Sequence, residues 1–491
     1  MTARADLGTL EASGLIEIAA LQPELEYLFR HALVQEAAYA TLLKQDRRTL
    51  HRAAAETIVA LHPDRRRELA AVIGMHFEQA GEAARAAEHL VVAGDHAMER
   101  FASREALDFF RRADDLSDES QTELRLRAVI GGAQAGWGYS EQKGFIDRIE
   151  HALAAADSAD PRLVAEAYGW AAFLRRQRGE VPESSPQLEH ALERASAISG
   201  SLDDEGVAAL PKALMGAFLG MTGGLHEGVQ QMSEALGVID KKGDPVASAM
   251  VSDFLAMTYA RLGDFDAAEA TIAGSERLAE EGDAIARVDV AITRSMLRLE
   301  RGEAEAALGQ AQQCAVRSED LGAYACVVAA NAIYGAAAFD RQQLPEAKPA
   351  LERGTELCRV TNMAPFQTLT RALLGSARAE LGDMPGGTAD WDDALAAARS
   401  MNDRWGEAQT LRGRARSLAA QPAPDWLALL KDLDRAAELL EAMEARPSIA
   451  RVLHDRAEVL RHLARLDEAD ESDRRARSLA RDLDLKDAAF A

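Results

Sequence analysis

The stretch 260-ARLGDFDAAEATIAGSERLAEEGD-283 holds two helical runs joined by the short turn Leu-Gly-Asp. Ala, Leu, Glu and Arg, which lose least on becoming helical, fill both runs, and Gly263 stands where a chain must break one helix to begin another. The same plan returns in 299-LERGEAEAALGQAQQCAVRSEDLG-322, in 340-DRQQLPEAKPALERGTELCRVTN-362 and in 379-AELGDMPGGTADWDDALAAARSMND-403. The turn residues Gly263, Gly302, Gln342 and Gly382 follow one another at steps of 39, 40 and 40. Further anchors fall at Gly138, Gly179 and Gly224 upstream and at Pro422 and Ala464 downstream, giving nine units with a period near 40.

Five residues after the anchor the side chain is often small: Ser184, Ala268, Ala307, Ala347, Gly387 and Ala469. A small residue there lets two paired helices approach closely. "RLGDFDAAEA" resembles the tetratricopeptide turn, with Tyr259 before it and Phe265 after it in the matching places. The unit exceeds the roughly 34 residues of that repeat, which implies longer helices or linkers. Residues 76–116 add two tighter pairs, with turns near Gly81 and Ser103, for about eleven pairs from Arg66 onward. The expected fold is all-α: a right-handed α-solenoid of tetratricopeptide-like hairpins with a concave groove.

Composition agrees with an array. Of 491 residues, only 5% are aromatic and 14 are Pro. The formal net charge of -24 sets the summed field against nucleic acid and anionic membrane. Cys314, Cys326 and Cys358 lack C-x-x-C spacing, which points to reduced thiols, no structural zinc and a cytoplasmic location. The N-terminus has no basic region followed by an apolar run, so a secretory signal is not supported. The run 321-LGAYACVVAANAIYGAAAF-339 is too interrupted to span a bilayer and reads as a buried helix.

Catalytic signatures are missing from the sequence. There is no P-loop, no G-x-S-x-G and no H-E-x-x-H. "GGAQAGWG", residues 131–138, follows a helical run instead of a strand, so it does not fit a nucleotide loop. "DMPGGTADWDD", residues 383–393, lacks the alternating ligands of a calcium loop and reads as a solvated turn. The eleven histidines read as surface or satisfied groups, and no metal or cofactor is expected.

One segment stands apart: 27-YLFRHALVQEAAYATLLKQDRRTLHRAAAETI-58, followed by His76, Ala80, Gly81, Ala86, Gly94 and Glu105-Ala106. Together these residues resemble the region behind the ATPase module in bacterial signal-transduction ATPases of the STAND class. Such proteins are often fused to class III adenylate or guanylate cyclases, to kinases or to DNA-binding domains. The resemblance implies that residues 1–44 end a winged-helix-like domain, with Leu7, Leu10, Leu15 and Ile16 in a helix and the start of the wing and Tyr27 to Phe29 in the last strand. It further implies a connecting helix over 45–65, first tetratricopeptide-like pairs over 66–120 and superhelical repeats over 121–491. The P-loop domain and most of the winged helix are missing from this sequence.

Related STAND proteins carry a Met-His-Asp motif whose His contacts ADP. "FRHALVQEAAY" is similar, with His31 at the matching place and Arg30 and Ala32 replacing the Met and Asp. His31 is therefore a cofactor-binding candidate only when an upstream ATPase domain is supplied. The alternative is that His31 caps a domain joint, with Phe29, Tyr39 and Leu42 as core. The function expected is a non-catalytic sensor or scaffold that binds a protein partner, an ATPase or cyclase domain, or a small-molecule inducer, with no direct nucleic-acid or membrane binding. A free-standing interaction adaptor and an enzyme with an unrecognised groove site are the rival readings.

Overall fold

A computed structural model describes residues 3–20, 26–118, 120–136, 138, 142–202, 206–282, 284–361, 363–364, 366–486 and 490. The chain divides into one unit of residues 1–93 with 115–117 and a second of residues 94–114 with 118–491.

In the first unit, α1 (Ala3–Ala12) leads into an antiparallel hairpin of β1 (Ile16–Ala20) and β2 (Glu26–Phe29), with Ile16 opposite Phe29 and Ile18 opposite Tyr27. Then come α2 (Ala32–Thr41), α3 (Lys44–Leu61), α4 (Ala70–Ala80) and α5 (Ala83–Glu99), whose last residues belong to the second unit. Its core is small: Ala55, Ile73, Phe77 and Ala86, with Leu116 packed against them.

The second unit is built of hairpins. It opens with α6 (Ser103–Leu116), then pairs α7 (Thr122–Gly136) with α8 (Gln142–Leu153), α9 (Pro161–Gln177) with α10 (Pro186–Ser201), and α11 (Ala209–Thr222) with α12 (Leu225–Lys242). There follow α13 (Pro245–Leu262) with α14 (Phe265–Glu281), α15 (Ala284–Glu300) with α16 (Ala304–Leu321), and α17 (Tyr324–Asp340) with α18 (Leu344–Thr361). The array ends with α19 (Gln367–Glu380) and α20 (Met384–Met401), α21 (Arg404–Ala419) and α22 (Trp426–Met443), and α23 (Arg446–His462) and α24 (Leu466–Asp482). This is the right-handed tetratricopeptide-like α-solenoid expected from the period.

The structure explains why the period is 40. Left-handed backbone recurs at Gly223, Gly243 and Gly263, then at Gly302, Gly322 and Gln342, then at Gly382 and Asn402, each twenty residues after the last within its group. Both helices of a unit run 17 or 18 residues over most of this region, and turns of two or three residues end most of them. At Gly263 (φ 81°) the turn is complete in itself. The Asp264 N–H donates to Tyr259 O at 3.0 Å, and the Asp264 carboxylate accepts from the Ala267 N–H at 3.2 Å, so one Gly-Asp pair closes one helix and caps the next. Asp244, Asp383, Asp403 and Asp425 cap their helices in the same way.

Several sequence expectations shift. The left-handed residue is Gly223 in place of Gly224, and neither Gly138 nor Pro422 adopts positive φ. Ala268, Ala307, Ala347 and Ala469 are fully buried and Gly387 is buried, whereas Ser184 is exposed in a short 3-10 turn and the neighbouring Ser185 caps α10. Residues 383–393 are no solvated turn. Asp383 caps α20, Asp390 is buried against Arg371 and Arg378, and Trp391 is sealed in the core with its Nε1 donating to Ala372 O at 3.1 Å. There Gly375 and Gly387 let α19 and α20 nearly touch: a Cβ on Gly387 would lie 2.7 Å from Gly375 O. The glycines of 131–136 are buried in α7, and Trp137 lies outside the described residues. Of the run 321–339, Leu321 ends α16 and residues 324–339 lie in α17, which is buried along most of its length.

Long-range contacts tie successive superhelical turns together. Arg404 Nη2 donates to Gly223 O at 2.9 Å, Lys486 N to Arg301 O at 2.8 Å and Ala364 N to Gln177 O at 2.6 Å. Leu483 and Leu485 of the last turn join Phe265 and Ala268 in one core cluster. Arg451 is 8% exposed; it donates to Leu299 O (3.0 Å), Glu300 O (2.9 Å) and Glu300 Oε2 (3.1 Å), at the C-terminal end of α15. A cation among helix-end carbonyls adds donors to them and meets the negative end of the helix dipole.

Candidate functional site

The first helices of successive pairs carry apolar residues on more than one face, because each packs on neighbours and also turns a stripe inward. On α13 the stripe is Val246, Met250, Asp253 and Met257; on α15 it is Ile285, Asp289 and Ile292. With α7, α9, α11 and α17 these helices enclose a cavity of about 160 Å³. Arg104 closes the ring by donating to Leu321 O, and Ala325 N donates to Gly138 O at 3.1 Å.

The wall is mainly apolar, with Phe101, Phe254 and Phe366 and four methionines. Against it stand a few polar groups. Gln177 is 1% exposed, and neither its amide nitrogen nor its amide oxygen has a hydrogen-bond partner. Asp253 is 8% exposed and its Oδ1 has none. The hydroxyls of Ser275 and Thr293 hydrogen-bond toward this carboxyl and offset part of its burial, and they also lie 3.4 Å from Ala249 O and 3.1 Å from Asp289 O. Burial, with the charge of Asp289 added, pushes the Asp253 carboxyl well above the usual carboxylate range. Cys326 donates to Asp289 Oδ1 at 2.9 Å, and burial beside that carboxylate raises its thiol well above the ordinary value.

Unpaired buried amide and carboxyl atoms each cost about 1–3 kcal/mol. Groups left in that state and facing an apolar space are the expected lining of a ligand pocket. The sequence held a faint signal: Asp253 and Asp289 are lone acids inside apolar runs, "ASAMVSDFLAM" and "ARVDVAI". It held none for Gln177.

A second, larger cavity of about 830 Å³ opens near α21 and α23. Its charges are matched internally: Arg412 with Asp455 at 2.7 Å and Arg416 with Asp340 at 3.3 Å. Burial raises the Cys314 and Cys358 thiols to about 11 and about 12, so neither supplies a thiolate nucleophile. Among the described residues no group of three or more His, Cys, Asp or Glu is placed to hold a metal, and no helix is long and apolar enough to cross a membrane.

His31 lies at the junction of β2 and α2 as the N-cap residue (φ -135°, ψ 125°), exposed, with no side-chain cap bond. The packing expected around it is absent: Phe29 is 41% exposed, Tyr39 is 39% exposed and Leu42 is half-buried. Tyr39 instead joins a chain that the sequence did not reveal. Its hydroxyl lies 3.0 Å from His51 Nε2, and His51 Nδ1 lies 2.8 Å from His76 Nδ1, linking α2, α3 and α4. Burial and then the neighbouring His51 hold the His76 imidazole below the usual histidine range.

No family profile matches the sequence, and no curated protein matches it. Solved structures do. A Rap protein complexed with Competence and Sporulation Factor is similar over 74% of this chain and 98% of that one, at 11% identity and a TM-score of 0.56. A STAND protein with a tetratricopeptide repeat sensor from Pyrococcus horikoshii is similar over 81% of this chain but 59% of its own, at 16% identity and 0.46. The Cut9–Hcn1 hetero-tetramer of the APC/C is similar over 91% of this chain and 88% of that one, at 13% identity and 0.48. The likeness to the Rap protein is one of fold: the second unit is a tetratricopeptide-like solenoid.

Proposed function

We propose that this chain is the non-catalytic sensor or scaffold region of a STAND-type signalling regulator, and that it receives its ligand in the lumen of the solenoid. The observation that carries the reading is the apolar cavity with the unpartnered Gln177 amide and Asp253 Oδ1 on its wall. The Rap protein of similar fold holds a Competence and Sporulation Factor, which favours a regulatory ligand on a solenoid of this kind. The enzyme reading lacks support from any thiolate, metal cluster or nucleophile–base pair described above.

The link to an ATPase or cyclase-linked partner rests on the resemblance of residues 27–58, and the surface of the first unit supports it. Among the described residues, thirteen of the eighteen exposed large apolar side chains lie before residue 93, Leu28, Leu33 and Leu43 at 59%, 78% and 71% exposure. Apolar surface in that amount is the mark of a partner face. In such an assembly His31 would meet the nucleotide at the start of α2, where free N–H groups favour phosphate. ADP retention in the joined protein then falls with His31→Ala; unchanged retention counts against that role.

The sensor reading is tested by thermal-shift screening of the full chain against metabolites and peptides, beside Met250→Trp, which fills the lumen. Ligands that stabilise the native chain and not the filled variant support it. A screen in which every hit is indifferent to Met250→Trp refutes it.

A further inference from the structure

We propose that the luminal ligand is a small organic amine, its ammonium group held by the Asp253 and Asp289 carboxyls, its apolar body against the Phe and Met side chains, and a polar substituent at Gln177. The inference rests on the sensor reading above and narrows it to one chemical class.

Charge is the first argument. Among the described lining residues there are two carboxyls and no Lys, Arg or His. Burial and the neighbouring Asp289 charge together push the Asp253 carboxyl well above its ordinary range. A cation in the same space removes both penalties. The second argument is the orphaned polar atoms. A primary ammonium brings three donors, enough to reach Asp253 Oδ1 while Asp289 keeps the Cys326 thiol. The Gln177 amide, with both ends unpaired and 1% exposed, is a donor–acceptor pair for a hydroxyl or amide at the other end of the ligand. Third, the aromatic rings of Phe101, Phe254 and Phe366 suit an apolar body that carries a positive charge.

Binding also has a proton linkage. Burial beside Asp289 raises the Asp253 carboxyl in the free site and an ammonium at Oδ1 lowers it again, so a proton carried by Asp253 in the free site leaves to solvent on binding. The groups facing this carboxyl are Asp289 and Glu276, with the Ser275 and Thr293 hydroxyls, and the neutral Cys326 thiol sits on Asp289. None of them supplies a compensating positive charge.

The probes are phenethylamine and its neutral counterpart 2-phenylethanol, titrated into the full chain and followed by ligand-observed NMR and calorimetry at pH 6.5, 7.5 and 8.5. The amine is expected to bind at least tenfold more tightly than the alcohol. Its affinity should not fall between pH 6.5 and 8.5, since raising the pH favours the carboxylate that holds the ammonium. Asp253→Asn should abolish the amine's advantage, and Met250→Trp should abolish binding. Equal or better binding of the alcohol, no binding of the amine, or an advantage that survives Asp253→Asn each overturns the proposal. Screening hits that are neutral or anionic yet lost in Met250→Trp would overturn the amine class and leave the luminal sensor standing.

Discussion

Replacing Arg451 by Met tests the closure of the superhelix. In the native chain this guanidinium sits where α23 meets the end of α15, 8% exposed, and makes three hydrogen bonds to Leu299 and Glu300. Met fills similar volume and donates nothing. The Glu300 carboxylate, 4% exposed in the pair, then loses its direct partner and two helix carbonyls lose a donor. Breaking a buried pair from one side costs about 3–5 kcal/mol. The value belongs at the lower end, because Arg261 also acts on Glu300 and remains. Adding Glu300→Gln removes the stranded charge and leaves the two carbonyls short, a residual loss of about 1–2 kcal/mol. The cycle therefore has a coupling of at least about 1 kcal/mol.

Urea unfolding followed by circular dichroism gives these quantities. pH supplies a sign. Burial already raises the Glu300 carboxyl, and without Arg451 it rises further, so the folded variant binds a proton that the unfolded chain releases. Its deficit grows as pH rises above the ordinary carboxylate value and is smaller at pH 5 than at pH 8. A loss under 1 kcal/mol, or a deficit independent of pH and additive with Glu300→Gln, would refute the reasoning.

Three further outcomes follow from the packing. Trp391→Ala, at a side chain 1% exposed, should cost about 3–5 kcal/mol in the same urea assay, and Trp391→Phe distinctly less. Ala464→Gly, at φ 57°, should stabilise by about 1 kcal/mol because the left-handed backbone strains a Cβ; a lower urea midpoint would contradict it. The His76 imidazole, held below the usual range, makes the unfolded chain the better proton acceptor as pH falls below about 6.5. Amide protection factors in α3 and α4, corrected for the intrinsic exchange rate at each pH, should therefore fall between pH 7.5 and 5.5, and His76→Gln should flatten that dependence.

The solenoid was legible because its signals are local. A glycine in left-handed backbone, an aspartate capping the next helix and an alanine at the crossing all lie within about eight residues of Gly263, and each repeats. The cavity was not legible, for the opposite reason. Its wall draws Gln177, Asp253, Asp289 and Cys326 from four different helices, and a stripe turned to the lumen has the same apolar composition as one turned to a neighbour. Contacts such as Arg451 with Glu300 span about 150 residues, a separation fixed by superhelical pitch and by no sequence motif. At the N-terminus, the strand and helix around His31 followed from the sequence, but the exposure of Phe29 and Tyr39 did not, because an apolar residue reads alike whether its partner lies in its own unit or in another protein.

Whether the lumen takes an organic amine is tested most directly by calorimetric titration of phenethylamine into the native chain and into Met250→Trp at pH 7.5. The account expects saturable binding to the native chain and none to the filled variant. Equal heats from the two proteins would contradict it.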